Sequence, residues 1–429
     1  MCIQYFTCDQ IPDKCLKLAK PLFIAAMMWA GLCIQAQPLQ RVSGFGSNPG
    51  GLTMHFYTPP GSDANTKMPL VVVLHGCLQS ANIIARQTGW NQLADRYGFR
   101  VLYPQQRFVN NPMGCFCWYR KNDIEKGKGE DLSIKEMIDE TERNYNTDSG
   151  KVFITGLSAG ALMAVSMMAD YPELFNAGAI FAGAPYKTAT NLWSAMLTAY
   201  GWNYKSPDNW ARLVRDQNPL YKGSYPRMII YQGRMDIVVN QNNSRQLVKQ
   251  WTALHHISPR PAETIRHFAR ARAVDRRTYV DSNGRDAVIY YRLKGVGHAL
   301  PIDPGDCGQQ GGKMTAFSRD INYYSTYWVA VDFGLIPKPT IAGRDFVDGG
   351  EMGLTFSVPP APGAKYRWHL PKHCTIMGDK NSNSITVNWG PKSGNVDVTE
   401  TGPDKCKFVY STLFVRVSTA ADYMNPQKP

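Results

Sequence analysis

The pentapeptide Gly156-Leu-Ser-Ala-Gly160 constrains this chain more than any other feature, because it lies between a strand-like and a helix-like stretch. The apolar run VFIT (152–155) precedes it, and the run ALMAVSMMAD (161–170) that follows has the apolar spacing of a helix. A sharp strand-to-helix turn holds its serine in a strained conformation and brings backbone too close for flanking side chains, which explains the two glycines. This context predicts that Ser158 is a nucleophile, with a plain glycine-rich turn as the alternative.

Around this turn, residues 52–298 alternate short runs rich in Val, Ile and Tyr with helical patterns. Such alternation predicts an α/β fold with a mostly parallel central sheet and helices on both faces. We expect strands at 54–58, 70–74, 101–103, 152–155, 179–181, 228–232 and 288–293, and helices at 81–97, 134–145, 161–171, 244–255 and 323–333.

The pattern changes after the proline-rich stretch Ile336-Pro-Lys-Pro-Thr340. Residues 341–429 contain short alternating runs separated by Gly, Pro and Asn, which is typical of a small all-β sandwich. We therefore expect a large α/β domain at 37–336 and a sandwich domain at 341–429. The Arg-rich stretch 260–277 carries interleaved Pro, Ala and Asp, which predicts a solvated loop or helix face.

The N-terminus has the layout of a secretory signal peptide at residues 1–36. Three lysines precede the apolar run 22–34, and the small residue Ala36 offers a cleavage point. The run is short for a membrane span, although an uncleaved anchor or a misplaced start codon is the alternative. We expect a secreted protein, extracellular, periplasmic or at the cell surface, without a membrane span after cleavage.

Export would leave six cysteines in an oxidising compartment, which favours disulfides. The chain has no CxxC pair with histidine partners, so no structural zinc is expected. The six are Cys77, Cys115, Cys117, Cys307, Cys374 and Cys406.

A serine nucleophile needs a base and an orienting acid, and chains with this type of turn carry them in the order Ser, acid, His. His298 lies in GVGHALP just past a predicted strand, whereas the other downstream histidines lie in helical, Arg-rich or sandwich segments. Asp236 follows the predicted strand MIIYQ, at the carboxyl edge where α/β sheets place their sites. Asp303 and Asp306 are weaker candidates because they follow His298.

An oxyanion hole needs two backbone amides aimed at the developing negative charge. Ala159 follows the predicted nucleophile, so its backbone amide is expected to be one of the two. The loop HGCLQ (75–79) follows an early predicted strand, so the amide of Cys77 is the natural second donor.

Several motifs between residues 50 and 335 closely resemble the polyhydroxybutyrate (PHB) depolymerase family of esterases, namely HGCLQ, GCFCWY, GLSAGALMAVSMMADYPELF, GRMDIVVNQNN and GVGHALP. The resemblance implies an α/β-hydrolase fold, carboxylic ester hydrolysis, the triad Ser158, Asp236 and His298, and oxyanion donors Cys77 and Ala159. It also implies a Cys77–Cys115 disulfide. The chain departs from the family pattern at Phe116, Cys117 and Ala161.

Three further expectations concern the remaining cysteines and the C-terminus. We expect Cys117 to pair with Cys307, and Cys374 with Cys406 across the sandwich. Residues 341–429 resemble PKD-like, immunoglobulin-type domains, with a spacer or weak polymer-binding role.

The expected substrate is a polymeric or oligomeric ester, and the mechanism requires no metal and no organic cofactor. A feruloyl or acetyl-xylan esterase is the alternative, and a non-catalytic surface-binding protein is a minor one. Trp118, Tyr186 and Trp202 are candidate walls of the substrate pocket. The net charge of +13 does not indicate nucleic-acid binding, because no basic-aromatic recognition motif is present and the chain is expected to be exported. The oligomeric state stays open.

Overall fold

The computed structural model describes residues 38–63 and 65–419, so the expected signal peptide lies outside the described residues. The α/β region contains the strands β1 Gln40–Val42, β2 Thr53–Tyr57, β3 Met68–Leu74, β4 Arg100–Gln105, β5 Thr147–Leu157, β6 Ala177–Phe181, β7 Arg227–Gly233, β8 Glu263–Ile265, β9 Val274–Val280, β10 Asp286–Leu293, β11 Leu300–Ile302 and β12 Ser318–Asp320. Its helices are α1 Ala81–Thr88, α2 Trp90–Tyr97, α3 Gly129–Asn144, α4 Ala159–Asp170, α5 Leu192–Ala199, α6 Pro207–Arg215, α7 Asn242–Leu254 and α8 Ser325–Phe333.

Strands β1 to β10 form one sheet in the order β1-β2-β4-β3-β5-β6-β7-β10-β9-β8. The six central strands, from β4 to β10, run parallel, and antiparallel strands complete both edges. Two separate apolar cores lie against this sheet. The predicted α/β fold with a mostly parallel sheet is therefore confirmed, and the carboxyl ends of β3, β5, β7 and β10 meet at one edge.

One predicted helix is divided in two. Residues 81–97 form α1 and α2, separated by Gly89 in the left-handed region with φ 68°. A Cβ at Gly89 would lie 2.4 Å from the hydroxyl oxygen of Tyr324, which donates a hydrogen bond to the carbonyl of Thr88. The break lets α8 pack against this turn, a tertiary contact that helical periodicity does not show.

The Arg-rich stretch is solvated only in part. Arg260, Arg266, Arg270 and Arg272 are exposed as expected, whereas the end of the stretch forms strand β9. Arg276 is buried, and its guanidinium lies 2.9 Å from Asp286 and within hydrogen-bonding distance of the Tyr291 hydroxyl. A buried charge is tolerated where it is paired in this way. The cluster therefore contributes less cationic surface than its composition suggests.

Residues 341–417 form a second region, which we call the C-terminal sandwich. Its strands are β13 Phe346–Val347, β14 Leu354–Ser357, β15 Lys365–His369, β16 Thr375–Met377, β17 Ser384–Asn388, β18 Gly394–Thr401, β19 Lys407–Val409 and β20 Leu413–Val417. A sheet of β13, β20, β18, β15 and β19 packs on a three-stranded sheet of β14, β17 and β16, with Trp368 and Trp389 in the shared core.

Two of the three expected disulfides are wrong. Cys406, on the loop between β18 and β19, pairs with Cys307 rather than with Cys374. Cys117 and Cys374 are free thiols, and Cys117 is buried where its amide donates to Glu130. The reason is tertiary, since the sandwich docks against the segment after β11 and brings Cys406 to Cys307.

The same docking is supported by hydrogen bonds around the bridge. Gln309 donates from Nε2 to the carbonyl of Val409 (2.8 Å) and accepts from the Val409 amide (2.7 Å). The amide of Ala269 donates to the hydroxyl of Thr412 (2.9 Å). Ala269 has a positive φ of 49°, so the sandwich contacts a strained turn of the α/β region. Such turns persist where neighbouring structure holds them.

Within the two described ranges, no helix has both the length and the apolar character needed to cross a membrane.

Candidate active site

Ser158 lies on the turn between β5 and α4 with φ 56° and ψ −121°. A Cβ at Gly156 would come within 2.4 Å of the backbone of Gly160, and one at Gly160 within 2.4 Å of the carbonyl oxygen of Leu74. Both glycines are therefore required by close backbone approach, as the sequence predicted. The turn presents Ser158 at the carboxyl edge of the sheet in a conformation that is costly for a serine.

Asp236 and His298 form a hydrogen-bonded pair on the same edge. Nδ1 of His298 lies 2.9 Å from Oδ2 of Asp236, whose side chain is fully buried. Oδ1 of Asp236 accepts from the amides of Val238 and Val239 at 2.9 Å each. These donors fix the carboxylate, which in turn orients the imidazole with Nε2 directed away from it.

The loops that carry the acid and the histidine are also joined through their backbones. The amide of Met235 donates to the carbonyl of Val296 (3.0 Å), and the amide of Arg234 to that of Leu293 (2.9 Å). Ser158 and His298 make no hydrogen bond to each other in the described chain. Such contacts are commonly long in an unliganded site and shorten when substrate binds.

The loop after β3 holds the amide of Cys77 in one direction. The carbonyl of Gly76 accepts from the Gln79 amide (3.3 Å) and lies 2.8 Å from Nδ1 of His75. In a trans peptide the N–H points opposite to the C=O, so the Cys77 amide faces away from these partners. A Cβ at Gly76 would be 3.5 Å from Cβ of Ser158, which places this peptide beside the predicted nucleophile.

His75 is a positioning residue that the sequence analysis passed over. Its Nε2 accepts from the amide of Gln106 (3.1 Å), so Nδ1 carries the proton and donates to Gly76. Complete burial lowers the pKa of His75 to about 4, which keeps the ring neutral in this tautomer near pH 7. The motif HGCLQ was a usable signal, because His75 directly precedes the glycine of the predicted oxyanion loop.

The disulfide Cys77–Cys115, expected from the family resemblance, is present. It ties the predicted oxyanion loop, residues 75–79, to residues 107–115, and the amide of Leu78 donates to the carbonyl of Met113 (2.9 Å) in the same place. Leu78 has a positive φ of 60°, so the loop holds a conformation that an unrestrained leucine would avoid. The bridge and the hydrogen bond both restrain it.

A buried chain of amide groups connects the predicted oxyanion loop to the loop that carries His298. Oε1 of Gln79 accepts from the Gly76 amide (2.8 Å), and Nε2 of Gln79 donates to Oε1 of Gln87. Nε2 of Gln87 then donates to the carbonyl of Phe317 (2.6 Å). That carbonyl also accepts from the amide of Leu300, two residues after the histidine. No sequence signal marked Gln87, which lies in an ordinary helical pattern.

The three candidate pocket residues do not line one pocket. Tyr186 is buried and its hydroxyl is 2.7 Å from Oδ1 of Asp170, so it is part of the core beneath α4 rather than a substrate wall. Trp118 is half-buried and shares a small cavity with Tyr186 and Leu162. Trp202 is exposed and stacks on Tyr200, with ring centroids 5.0 Å apart. The larger cavities lie elsewhere, one of them at the opposite edge of the sheet.

The fold, with a strained serine after the central strand β5 and a carboxylate–histidine pair after β7 and β10, is that of the α/β-hydrolases. The sequence profile described as "Esterase PHB depolymerase" matches residues 52–267, and a PKD-like domain profile matches residues 336–406. The chain belongs to the PHB depolymerase family of esterases, and it is a carboxylic ester hydrolase.

Individual relatives agree with this assignment. Poly(3-hydroxyalkanoate) depolymerase C of Paucimonas lemoignei is 38% identical over 73% of this chain and 74% of its own length. A probable acetylxylan esterase A of Aspergillus fumigatus is 33% identical over 62% of this chain and 70% of its own length. Among solved structures, an acetyl xylan esterase from Aspergillus awamori aligns with a TM-score of 0.56 at 28% identity, covering 61% of this chain and 94% of that one.

Proposed function

We propose that this enzyme hydrolyses esters through Ser158 as nucleophile, His298 as general base and Asp236 as the acid that orients it. The observation that carries the proposal is the buried Asp236–His298 hydrogen bond on the same sheet edge as the strained Ser158. A serine hydroxyl is a weak nucleophile at neutral pH, so the imidazole takes its proton as Oγ attacks the ester carbonyl. Asp236 stabilises the imidazolium that results.

The negative charge of the tetrahedral intermediate rests on the amides of Cys77 and Ala159. Ala159 is the first residue of α4, so its amide has no intrahelical acceptor, and the helix dipole adds favourable potential there. His298 then protonates the leaving alcohol, and water hydrolyses the acyl-enzyme by the same route in reverse. Removing one oxyanion donor typically costs about 3–4 kcal/mol of transition-state stabilisation.

We propose an aliphatic polyester of hydroxyalkanoate units as the substrate. The similarity to a poly(3-hydroxyalkanoate) depolymerase, which extends over 73% of the chain, supports this choice. Acetylated or feruloylated polysaccharide is the second candidate, and the similarity to acetylxylan esterases favours its acetylated form.

The substrate proposal is tested by incubating the protein in parallel with PHB film, acetyl-xylan and feruloylated arabinoxylan. Release of soluble hydroxybutyrate at the highest kcat/KM supports the polyester. Faster release of acetate or ferulate would assign the polysaccharide instead. Ser158→Ala protein controls for contaminating activity in every arm.

We further propose that the chain is exported and cleaved after Ala36, with a catalytic domain at 37–336 and the sandwich domain at 341–429. The apolar leader and the disulfides Cys77–Cys115 and Cys307–Cys406 support export. N-terminal sequencing of protein recovered from the culture medium tests the cleavage site, and a mature chain that begins at Met1 would contradict it.

A further inference from the structure

A buried carboxyl group lies behind the predicted oxyanion loop and takes no part in the proposed triad. It belongs to Glu130, the second residue of α3, which is only 1% exposed. Burial, and after it the charge of Asp123, raises the pKa of Glu130 to about 8. A buried carboxyl group destabilises a fold unless hydrogen bonds within the protein replace those to water. The partners of Glu130 therefore indicate what its carboxyl group does.

The two carboxyl oxygens of Glu130 accept hydrogen bonds from two different segments of the chain. Oε1 accepts from Nε2 of Gln106, which directly follows β4, and Oε2 accepts from the backbone amide of Cys117 (2.7 Å). The side-chain amide of Gln106 has one orientation, because its Oε1 accepts from the Arg107 amide and from Nδ2 of Asn110, at 2.8 Å each. Its donor end therefore faces Glu130.

The first of these segments supports the predicted oxyanion loop through His75. The backbone amide of Gln106 donates to Nε2 of His75 (3.1 Å), and Nδ1 of the same ring lies 2.8 Å from the carbonyl oxygen of Gly76. That carbonyl and the amide of Cys77 belong to one planar peptide unit. A displacement of Gln106 would therefore turn the proposed oxyanion donor.

The second segment supports the same peptide unit through a disulfide. Cys117 lies two residues after Cys115, which is bonded to Cys77. Between the two cysteines, Phe116 is fully buried, and its ring centroid lies 4.9 Å from that of His75. Anchoring the amide of Cys117 therefore fixes a three-residue arm that contacts the loop at two points.

We infer that Glu130 is a positioning residue, which joins these two supports and so holds the Cys77 amide toward the developing oxyanion. Donors of an oxyanion hole are effective because they are already oriented when the negative charge forms. Glu130 acts through Gln106 and Cys117 and not by contact with the reacting atoms. The inference rests on the proposed ester hydrolysis and identifies what keeps its oxyanion hole in place.

A carboxyl group is the side chain that this arrangement requires. Both partners of Glu130 are N–H donors, and both carboxyl oxygens can accept whether or not the group is protonated. A primary amide has only one acceptor atom, so Glu130→Gln places two donors against each other at one of the contacts. The exchange Gln106→Glu/Glu130→Gln restores the match. The new carboxyl group at position 106 then accepts from the new amide, whose oxygen still accepts from Cys117.

Steady-state kinetics with a soluble nitrophenyl ester test the inference. For Glu130→Gln we expect kcat to fall about 10- to 100-fold with KM nearly unchanged, because a misdirected donor affects the transition state and not substrate binding. The inhibition constant of an alkylboronic acid, whose tetrahedral adduct with the nucleophile mimics the oxyanion, should rise by a similar factor. The exchange variant should recover kcat to within about threefold of the parent value, since the paired changes compensate each other.

Glu140→Gln is the matched control on the same helix. Glu140 is also buried, and its two oxygens accept from Nδ2 of Asn144 (2.7 Å) and from Arg143 (3.1 Å), away from the predicted oxyanion loop. This change should lower the melting temperature without lowering kcat. If Glu130→Gln yields no folded protein, Gln106→Met removes the same contact from the other side, and the same loss of kcat is expected.

Three results would overturn the inference. They are an unchanged kcat in Glu130→Gln, a rise in KM with kcat retained, and an exchange variant that regains its melting temperature but not its kcat. Failure of the proposed hydrolysis has a different signature, because activity would then survive Ser158→Ala in the parent enzyme. Activity that depends on Ser158 but is indifferent to Glu130→Gln would refute the positioning role alone.

Discussion

Gln87 donates a 2.6 Å hydrogen bond from Nε2 to the carbonyl oxygen of Phe317, while its Oε1 accepts from Gln79. The first contact reaches the loop beside His298, and the second reaches the loop that presents the Cys77 amide. A single buried side chain thus fixes the spacing between the proposed base and the proposed oxyanion hole. Each amide in this chain can be oriented in only one way, because donor and acceptor ends are both used.

Gln87→Leu should therefore impair catalysis more than binding. We expect kcat for a soluble nitrophenyl ester to fall about 10- to 100-fold with KM nearly unchanged, since small displacements of catalytic groups have effects of this order. Gln246→Leu is the matched control. Gln246 is also buried, but its Oε1 accepts a hydrogen bond from Nε1 of Trp210 on α6 and not from either of these loops. It should lower the melting temperature without lowering kcat. Equal kcat values for the two variants would contradict the positioning role.

His75 should make stability depend on pH in the acidic range. Its pKa is lowered by burial to about 4 in the folded protein, against 6.5 as the ordinary value. Between these values the unfolded chain binds more protons, so the native state loses stability as the pH falls. In His75→Phe this loss is absent. The difference in the free energy of unfolding between the parent and His75→Phe should therefore shrink by about 3 kcal/mol between pH 7 and pH 4. Urea unfolding at several pH values measures it, and a constant cost would refute the assignment.

Asp131 and Asp170 should make stability depend on pH in the opposite direction from His75. Burial, and after it the nearby charge of Asp170, raises the pKa of Asp131 on α3, and burial raises the pKa of Asp170 at the end of α4 to about 6. The folded pair holds its proton above the ordinary carboxyl pKa, so this stabilising contribution is present in acid and is lost as the pH rises. Asp131→Asn replaces the protonated acid with a permanent donor, while Ser166 keeps its acceptor.

We expect the stability of Asp131→Asn to fall less than that of the parent from about pH 4 toward neutrality, where an unpaired buried carboxylate would have to ionise. The exposed Asp208→Asn is the control, and its slope should match that of the parent. If the stability of all three proteins depended on pH in the same way, the pair would hold no extra proton in the folded state.

The Cys307–Cys406 bridge should stabilise the chain as a whole. It closes a segment of 99 residues between the α/β region and the sandwich. Replacing both cysteines by serine should lower the free energy of unfolding by about 2–5 kcal/mol, the range observed for disulfides that close long loops. Cys374→Ser, at a free half-buried thiol, should have little effect. If the double variant and Cys374→Ser unfolded at the same urea concentration, the bridge would contribute nothing.

Local sequence pattern predicted the strands and turns on which the proposed site residues lie. Ser158, Asp236 and His298 each follow a strand that composition and length identify, and the topology brings all three to one edge. The α/β class was predicted for the same reason. These assignments needed no knowledge of packing.

The features that the sequence did not predict depend on tertiary docking. Cys406 meets Cys307 only because the sandwich lies on the α/β region, and Arg276 is buried only because Asp286 and Tyr291 surround it. Gln87 has no pattern of its own, since its role is defined by two loops that are distant in the chain. Tyr186, which the sequence suggested as a pocket wall, is a further example. Its hydroxyl points toward Asp170 and not toward a cleft.

The central claim is that Ser158 is the nucleophile, and steady-state hydrolysis of a short-chain nitrophenyl ester by Ser158→Ala tests it most directly. The account predicts a loss in kcat of about 10³-fold or more, with the melting temperature retained and with full activity in Ser206→Ala, a serine that caps α6. Turnover by Ser158→Ala at a rate close to that of the parent enzyme would contradict it.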